Sequence, residues 1–135
     1  MDGCSVLAIF AHPDDESLAC GGTLARLADA GARVVLLCAT RGEGGSVSDP
    51  ALVADGDLGA ARTRELHEAA RVLGIRDVLV KDHPDGDLRW DDVPELHEEI
   101  VQVLADYRPD AVVTFDADGL YWHLDHVGVH EVPVE

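Results

Sequence analysis

Ser5-Val6-Leu7-Ala8-Ile9-Phe10-Ala11 is an apolar run that gives way abruptly to His12-Pro13-Asp14-Asp15-Glu16-Ser17. A short, continuous apolar run without polar alternation is the pattern of a strand covered on both faces, and the change to proline and acids ends it. Three more runs read the same way: Arg33–Thr40 (RVVLLCAT), Asp77–Lys81 (DVLVK) and Asp110–Phe115 (DAVVTF). Segments of helical spacing lie between them. The first covers about Glu16 to Ala30 and stops at Gly31. The second starts near Leu58, sets Leu66, Ala69, Ala70 and Leu73 on one face and stops at Gly74. Both glycines suit the position just past a helix end. The third begins near Asp91 and Asp92 with Pro94 in its first turn, and carries Val93, Leu96, Ile100, Val103, Leu104 and Tyr107 before Pro109.

The order βαβαβαβ implies right-handed crossovers and a parallel sheet with helices on both faces. The expected fold is an α/β, Rossmann-like three-layer sandwich with strand order 3-2-1-4. Its ligand crevice lies beyond the carboxyl ends of the strands, at the switch point between strands 1 and 4. Chemistry should therefore follow residues 11 and 115. The long connection Arg41–Asp57, rich in Gly, Ser and Asp, leaves strand 2 at the same end, where a loop of that length reads as a lid or binding loop. A dinucleotide fold would need a glycine-rich turn after strand 1. The first glycines here are Gly21 and Gly22, inside the helix, where they suit close packing.

Length and charge narrow the partners. The 135 residues, 47% hydrophobic with mean hydropathy +0.01, suit a single domain over residues 1–135. Ten Lys and Arg against 27 Asp and Glu give a net charge of −17, a field that repels nucleic-acid phosphates and anionic lipid head groups. Cations and neutral small molecules remain as ligands. Cys4, Cys20 and Cys38 form no CxxC pair and suit reduced core thiols, and no basic leader or membrane-length apolar run is present. A cytoplasmic location is the expectation.

Both candidate clusters fall at the switch point. His12 and Asp15 are three apart at a strand-to-helix turn, which lets an imidazole and a carboxylate converge, and His126 of His123-Leu124-Asp125-His126 would face them from strand 4. Two His and one carboxylate with an open position is the ligand set of catalytic zinc. Helix capping by Asp14, Asp15 and Glu16 is the alternative. A second His-Pro-Asp, His83-Pro84-Asp85, follows strand 3, two strands or about 9 to 10 Å away, too far to share a metal. His83 is expected at the loop surface and Asp85 at the rim of the crevice, while His67, His97 and His130 are expected to face solvent.

With His12-Pro13-Asp14-Asp15-Glu16, Gly21-Gly22-Thr23-Leu24, Thr40-Arg41-Gly42-Glu43, Arg62 to Gly74 and His123-Leu124-Asp125-His126, nearly the whole chain resembles the LmbE/PIG-L family of zinc-dependent N-deacetylases. The resemblance implies an amide hydrolase acting on a linear amide, removing the N-acetyl group of an N-acetylglucosaminyl small molecule. Relatives serve mycothiol and bacillithiol biosynthesis. His12, Asp15 and His126 then match the ligands of zinc, with ferrous iron as the other candidate metal. Asp14 matches the general base, His123 the partner of the developing oxyanion, and Tyr121 a tyrosine that contacts the reacting carbonyl. Asp125 can orient a ligand imidazole. Arg41 and Arg62, scarce positive charges, are candidates to hold sugar hydroxyls or pair with Asp85, and Arg62 suits a helix-surface ion pair equally well.

Two departures stand out. Leu124 replaces the proline usual in the family's HPDH motif. Family members also run well beyond the nine residues that follow His126 here, and Pro133 is expected to interrupt the helix there, so the C-terminal part of the fold is expected to be truncated. Leu120, Tyr121 and Trp122 would then be left uncovered, which points to a homo-oligomer or a longer natural chain. Two other classes compete. A truncated, non-catalytic metal-binding or assembly subunit fits the short C-terminus. A receiver-like magnesium-binding signalling module explains Asp14, Asp15 and Lys81 but not the histidines, because magnesium prefers oxygen ligands.

Overall fold

The computed structural model describes residues 1–53, 56–88 and 94–134. Four strands, β1 (Ser5–Phe10), β2 (Arg33–Cys38), β3 (Asp77–Val80) and β4 (Ala111–Val113), form one parallel sheet in the order β3-β2-β1-β4. Helices α1 (Asp15–Asp29) and α2 (Leu58–Leu73) link β1 to β2 and β2 to β3, stepping in one direction across the sheet. Right-handed crossovers put both on one face, where α1 packs on α2. The chain then returns past β1 through α3 (Pro94–Tyr107), which the same rule places on the opposite face beside α5 (Leu124–Val134). The connections thus run in opposite directions from β1 and β4, which puts the switch point between these two strands, as expected.

The apolar runs become strands because β1 and β2, in the sheet centre, are covered by both helix layers: Leu7, Ile9, Phe10 and Val34 to Leu37 are fully buried. The edges depart from the two-sided expectation. β3 is half-buried throughout, and Val112 of β4 is exposed, since an edge strand has a neighbour on one side only. The helices contribute Leu24, Leu66, Ala70, Leu96, Ile100 and Val103 to the core, and Phe115 meets Phe10 edge-on at 5.1 Å. Gly74 ends α2 in the left-handed region at φ 75, with the position of a Cβ only 2.9 Å from Ala28. Of the glycine pair in α1, Gly21 packs on Leu73, whereas Gly22 faces open space and serves no close contact.

One expected helix end lies outside the described residues and another changes. The start expected at Asp91 and Asp92, and Val93, lie outside the described residues. α5 stays helical through Pro133 to Val134, because a proline in a last turn removes only one hydrogen bond. No helix among the described residues is long and apolar enough to cross a membrane.

Candidate metal centre

Strand β1 delivers the turn His12 to Asp15 into the crevice. His12 N–H donates to Asp15 Oδ2 at 2.8 Å and Asp15 N–H to the His12 carbonyl at 3.3 Å, so both side chains are fixed before α1 begins. Asp14, between them, sits at φ 119, ψ −27, a region that non-glycine residues rarely occupy. On the other side, β4 leads through Phe115 to an irregular one-turn helix, α4 (Gly119–Trp122), and then α5. Phe115 stacks on His126 at 3.9 Å with the rings 5° from parallel. Leu124, where the family's proline would preset the first helical turn, is the first residue of α5.

The hydrogen bonds around the two buried imidazoles settle their tautomers. His126 Nδ1 lies 3.0 Å from the Gly119 carbonyl and must donate to it, which leaves Nε2 as an acceptor. His12 Nε2 lies 2.9 Å from Asp125 Oδ2 and 3.0 Å from Asp85 Oδ1, so it carries a hydrogen and leaves Nδ1 as an acceptor. Asp125 is itself held by the Gly86 and Leu88 amides at 2.8 and 2.9 Å. The two free nitrogens and Asp15 then converge: His12 Nδ1 to His126 Nε2 is 3.3 Å, His126 Nε2 to Asp15 Oδ1 3.3 Å, and His12 Nδ1 to Asp15 Oδ2 3.4 Å. Three acceptor atoms so placed could hold a metal ion. Ligand atoms at zinc bonding distance and tetrahedral angles stand roughly 3.3 to 3.5 Å apart, so the donor set fits. Without a metal, a proton fills the role. Burial works against it, but the Asp125 and Asp15 hydrogen bonds outweigh burial and push His12 up to about 10. Despite burial, its contacts with the His12 and His126 rings and the His12 amide hold Asp15 well below the usual carboxylate range.

Asp14, His123, Asp85 and Arg62 share a cavity of about 290 Å³ with His12. Burial pushes the Asp14 carboxyl up, against the pull of Arg62. Burial and the His12 and His126 rings push His123 down. The Asp125 amide donates to His123 Nδ1 at 3.2 Å, which puts the ring hydrogen on Nε2. Tyr121 is 63% exposed and stands edge-on to His126 at 5.3 Å, outside that cavity.

Several expectations need correcting. Arg62 lines the cavity but pairs with Asp14 and not with Asp85. It ties α2 to two segments, donating to the Gly42 carbonyl at 2.9 Å on one and to the Pro13 carbonyl at 2.6 Å and Asp14 at 3.0 Å on the other. Arg41 turns away to Asp57 at 3.6 Å and Asp82 at 3.9 Å. Asp85 lies at the rim of the crevice, as expected, and also reaches His12 although β3 stands two strands from β1. Spacing fixes the strand and not the loop after it, and Lys81 to Leu88 folds back onto Asp125. It touches His12 on the nitrogen opposite the convergent one, with its other oxygen on the Gly44 amide. His83 is half-buried against Glu99 at 3.1 Å, and His130 donates to the Phe115 carbonyl at 2.7 Å. His97 is half-buried, and His67 alone of the three is exposed. Sequence reasoning missed the burial of Glu16, at 1% exposure, because an acid in a first helical turn reads as a dipole partner.

A family profile described as GlcNAc-PI de-N-acetylase (PIG-L) matches residues 7–135. The chain belongs to the PIG-L family. Among relatives of this PIG-L chain, the 1D-myo-inositol 2-acetamido-2-deoxy-alpha-D-glucopyranoside deacetylase of Kineococcus radiotolerans is 42% identical over 96% of this chain and 43% of its own length. The same-named enzyme of Thermobispora bispora is 38% identical over 94% and 49%. The solved N,N'-diacetylchitobiose deacetylase of Pyrococcus horikoshii superposes with a TM-score of 0.84 at 31% identity, covering 96% of this chain and 48% of that one. The chain thus spans about half the length of the relatives it matches.

Proposed function

We propose that this PIG-L chain hydrolyses the N-acetyl group of an N-acetylglucosaminyl small molecule as a single domain, with a divalent metal, zinc or ferrous iron, held by His12, Asp15 and His126. The observation that carries the metal is the convergence of three acceptor atoms at edges of 3.3 to 3.4 Å. The named relatives, all deacetylases of 2-acetamido sugars, support the substrate class. A cation there would supply Lewis acidity, lowering the pKa of a water and polarising the amide carbonyl.

The chain's own residues do the rest. Asp14, unligated beside a ligating neighbour, takes the proton of the attacking water and returns it to the leaving nitrogen, a task suited to a carboxyl raised above its ordinary value. His123, with its hydrogen on Nε2, donates to the developing oxyanion. Asp125 orients His12. Arg62 holds the Asp14 turn against the loop after β2, and Asp85 is the wall carboxylate left to meet substrate hydroxyls. Tyr121 would have to swing inward to reach a carbonyl. The reading extends to self-association, because Leu120, Tyr121, Trp122 and Leu124 form an exposed apolar rim beside the centre. Acetate release from N-acetylglucosaminyl-inositol by the zinc- or iron-loaded protein is the test. Release above the metal-free control is expected, and stoichiometric metal without any release overturns the deacetylase reading.

A further inference from the structure

Of the buried carboxylates among the described residues, Asp15, Glu16 and Asp125, the proposed mechanism leaves Glu16 without a role. Glu16, the second residue of α1, is buried at 1% exposure, and no cationic side chain pairs with it among the described residues. An acid that merely complements a helix dipole stays in water, since burial of an unpaired carboxylate is costly. Its oxygens have two partners. Oε2 accepts the Asp14 amide at 3.1 Å and Oε1 accepts the Ser17 hydroxyl at 2.5 Å.

The Asp14 amide is the informative partner. Asp14 has φ 119, where an L-residue is strained, and backbone strain persists only where surrounding bonds hold it. The carbonyl side is held by α1, through the Ser17 and Leu18 amides at 3.0 and 2.9 Å. The amide side is held by Glu16. In this conformation the Asp14 carboxylate lies on the crevice wall beside Arg62, while Asp15, one residue on, turns to His12 and His126.

Resting on the proposed deacetylase reading, we propose that Glu16 is a positioning residue: its buried carboxylate, through the Asp14 amide, holds the strained backbone that aims the Asp14 base into the crevice and keeps it off the metal. The requirement is an acceptor of this length, not a charge. Gln preserves it, because its carbonyl can accept the Asp14 amide and its NH₂ can donate to Ser17, whereas Asp is one methylene short.

The test compares Glu16→Gln, Glu16→Ala and Glu16→Asp in the metal-loaded chain. Ala and Asp should lower kcat by about 10²-fold, the usual effect of displacing a reacting group by an ångström, with KM and metal content little changed. Gln should restore most of kcat with the same pH profile. Hydrogen exchange gives a readout independent of turnover: the Asp14 amide should be protected in the wild type and in Glu16→Gln and exchange faster in Ala and Asp. If Ala does not fold, the Gln and Asp pair decides. Wild-type kcat in a folded Ala or Asp protein, Gln as damaged as Asp, or a wild-type Asp14 amide without protection overturns the inference. A wild type that releases no acetate overturns the deacetylase reading instead, and the exchange pattern still decides whether Glu16 holds Asp14.

Discussion

His-Pro-Asp occurs twice, at His12 to Asp14 after β1 and at His83 to Asp85 after β3, and the two copies meet different surroundings. His12 stands between Asp15 and His126 on one ring nitrogen and Asp125 and Asp85 on the other. The His83 ring meets Glu99 of α3, which it shares with Lys81 at 3.3 Å. Asp14 turns to Arg62 on the crevice wall, whereas Asp85 turns back onto His12. The difference lies in sheet address. β1 is central and sits at the switch point, where the chain returning through β4 and α5 supplies His126. β3 is an edge strand paired only with β2, so its tripeptide supports the first copy from outside.

The largest expected contrast is in metal content. Alanine at His12, Asp15 or His126 should abolish stoichiometric zinc by elemental analysis, while His83→Ala should retain it, because only the first set contributes a convergent acceptor. Full metal in the His126→Ala protein would break the assignment. Next comes turnover. Asp14→Asn keeps size but cannot accept a proton, so hydrolysis should fall by roughly 10²- to 10⁴-fold with metal still bound. Asp85→Asn should cost less, about tenfold, as a lost substrate or His12 contact. Equal losses in the two proteins would erase the distinction between the copies.

These contrasts also separate what was legible in the sequence. β1, β2 and the strand order followed from continuous apolar runs and from glycine stops, because central strands and helix ends are fixed by local composition. His12, Asp15 and His126 could be brought together because topology alone carries two clusters to one crevice. The contact of Asp85 with His12, the backbone bonds of Arg62 and the burial of Glu16 were not legible for a common reason: each depends on a hydrogen bond to backbone or to a distant side chain, made by a loop return or a buried turn that no periodicity encodes. The downward shift of His123 likewise depends on rings that meet only after folding.

A pH series sharpens the comparison further. His12, raised to about 10 by Asp125 and Asp15 against the effect of burial, must lose its proton before metal enters. Zinc affinity should therefore climb with pH, by up to about tenfold per unit. The metal-free protein should behave oppositely. A raised histidine contributes stability that is full below its ordinary 6.5 and is lost as pH rises through about 10, so thermal unfolding of the apo protein should shift downward over that range. Affinity that levels off above neutral pH would show that no such proton is displaced.

The smallest effect belongs to the second copy. Glu99 lies within 3.1 Å of His83 and 3.3 Å of Lys81, in a partly exposed setting where water screens the pair and side-chain ordering offsets part of the attraction. His83→Ala should cost no more than about 1 kcal/mol in denaturant unfolding, with metal content and turnover unchanged. High salt should shrink even that difference, since the interaction is at the rim of the fold. The outcome matters because the loop from Lys81 to Leu88 also carries Asp85 and the two amides that hold Asp125. If removing His83 loosens that loop enough to raise KM or weaken zinc, the β3 tripeptide is coupled to the centre through Asp125, and the separation drawn between the two copies fails.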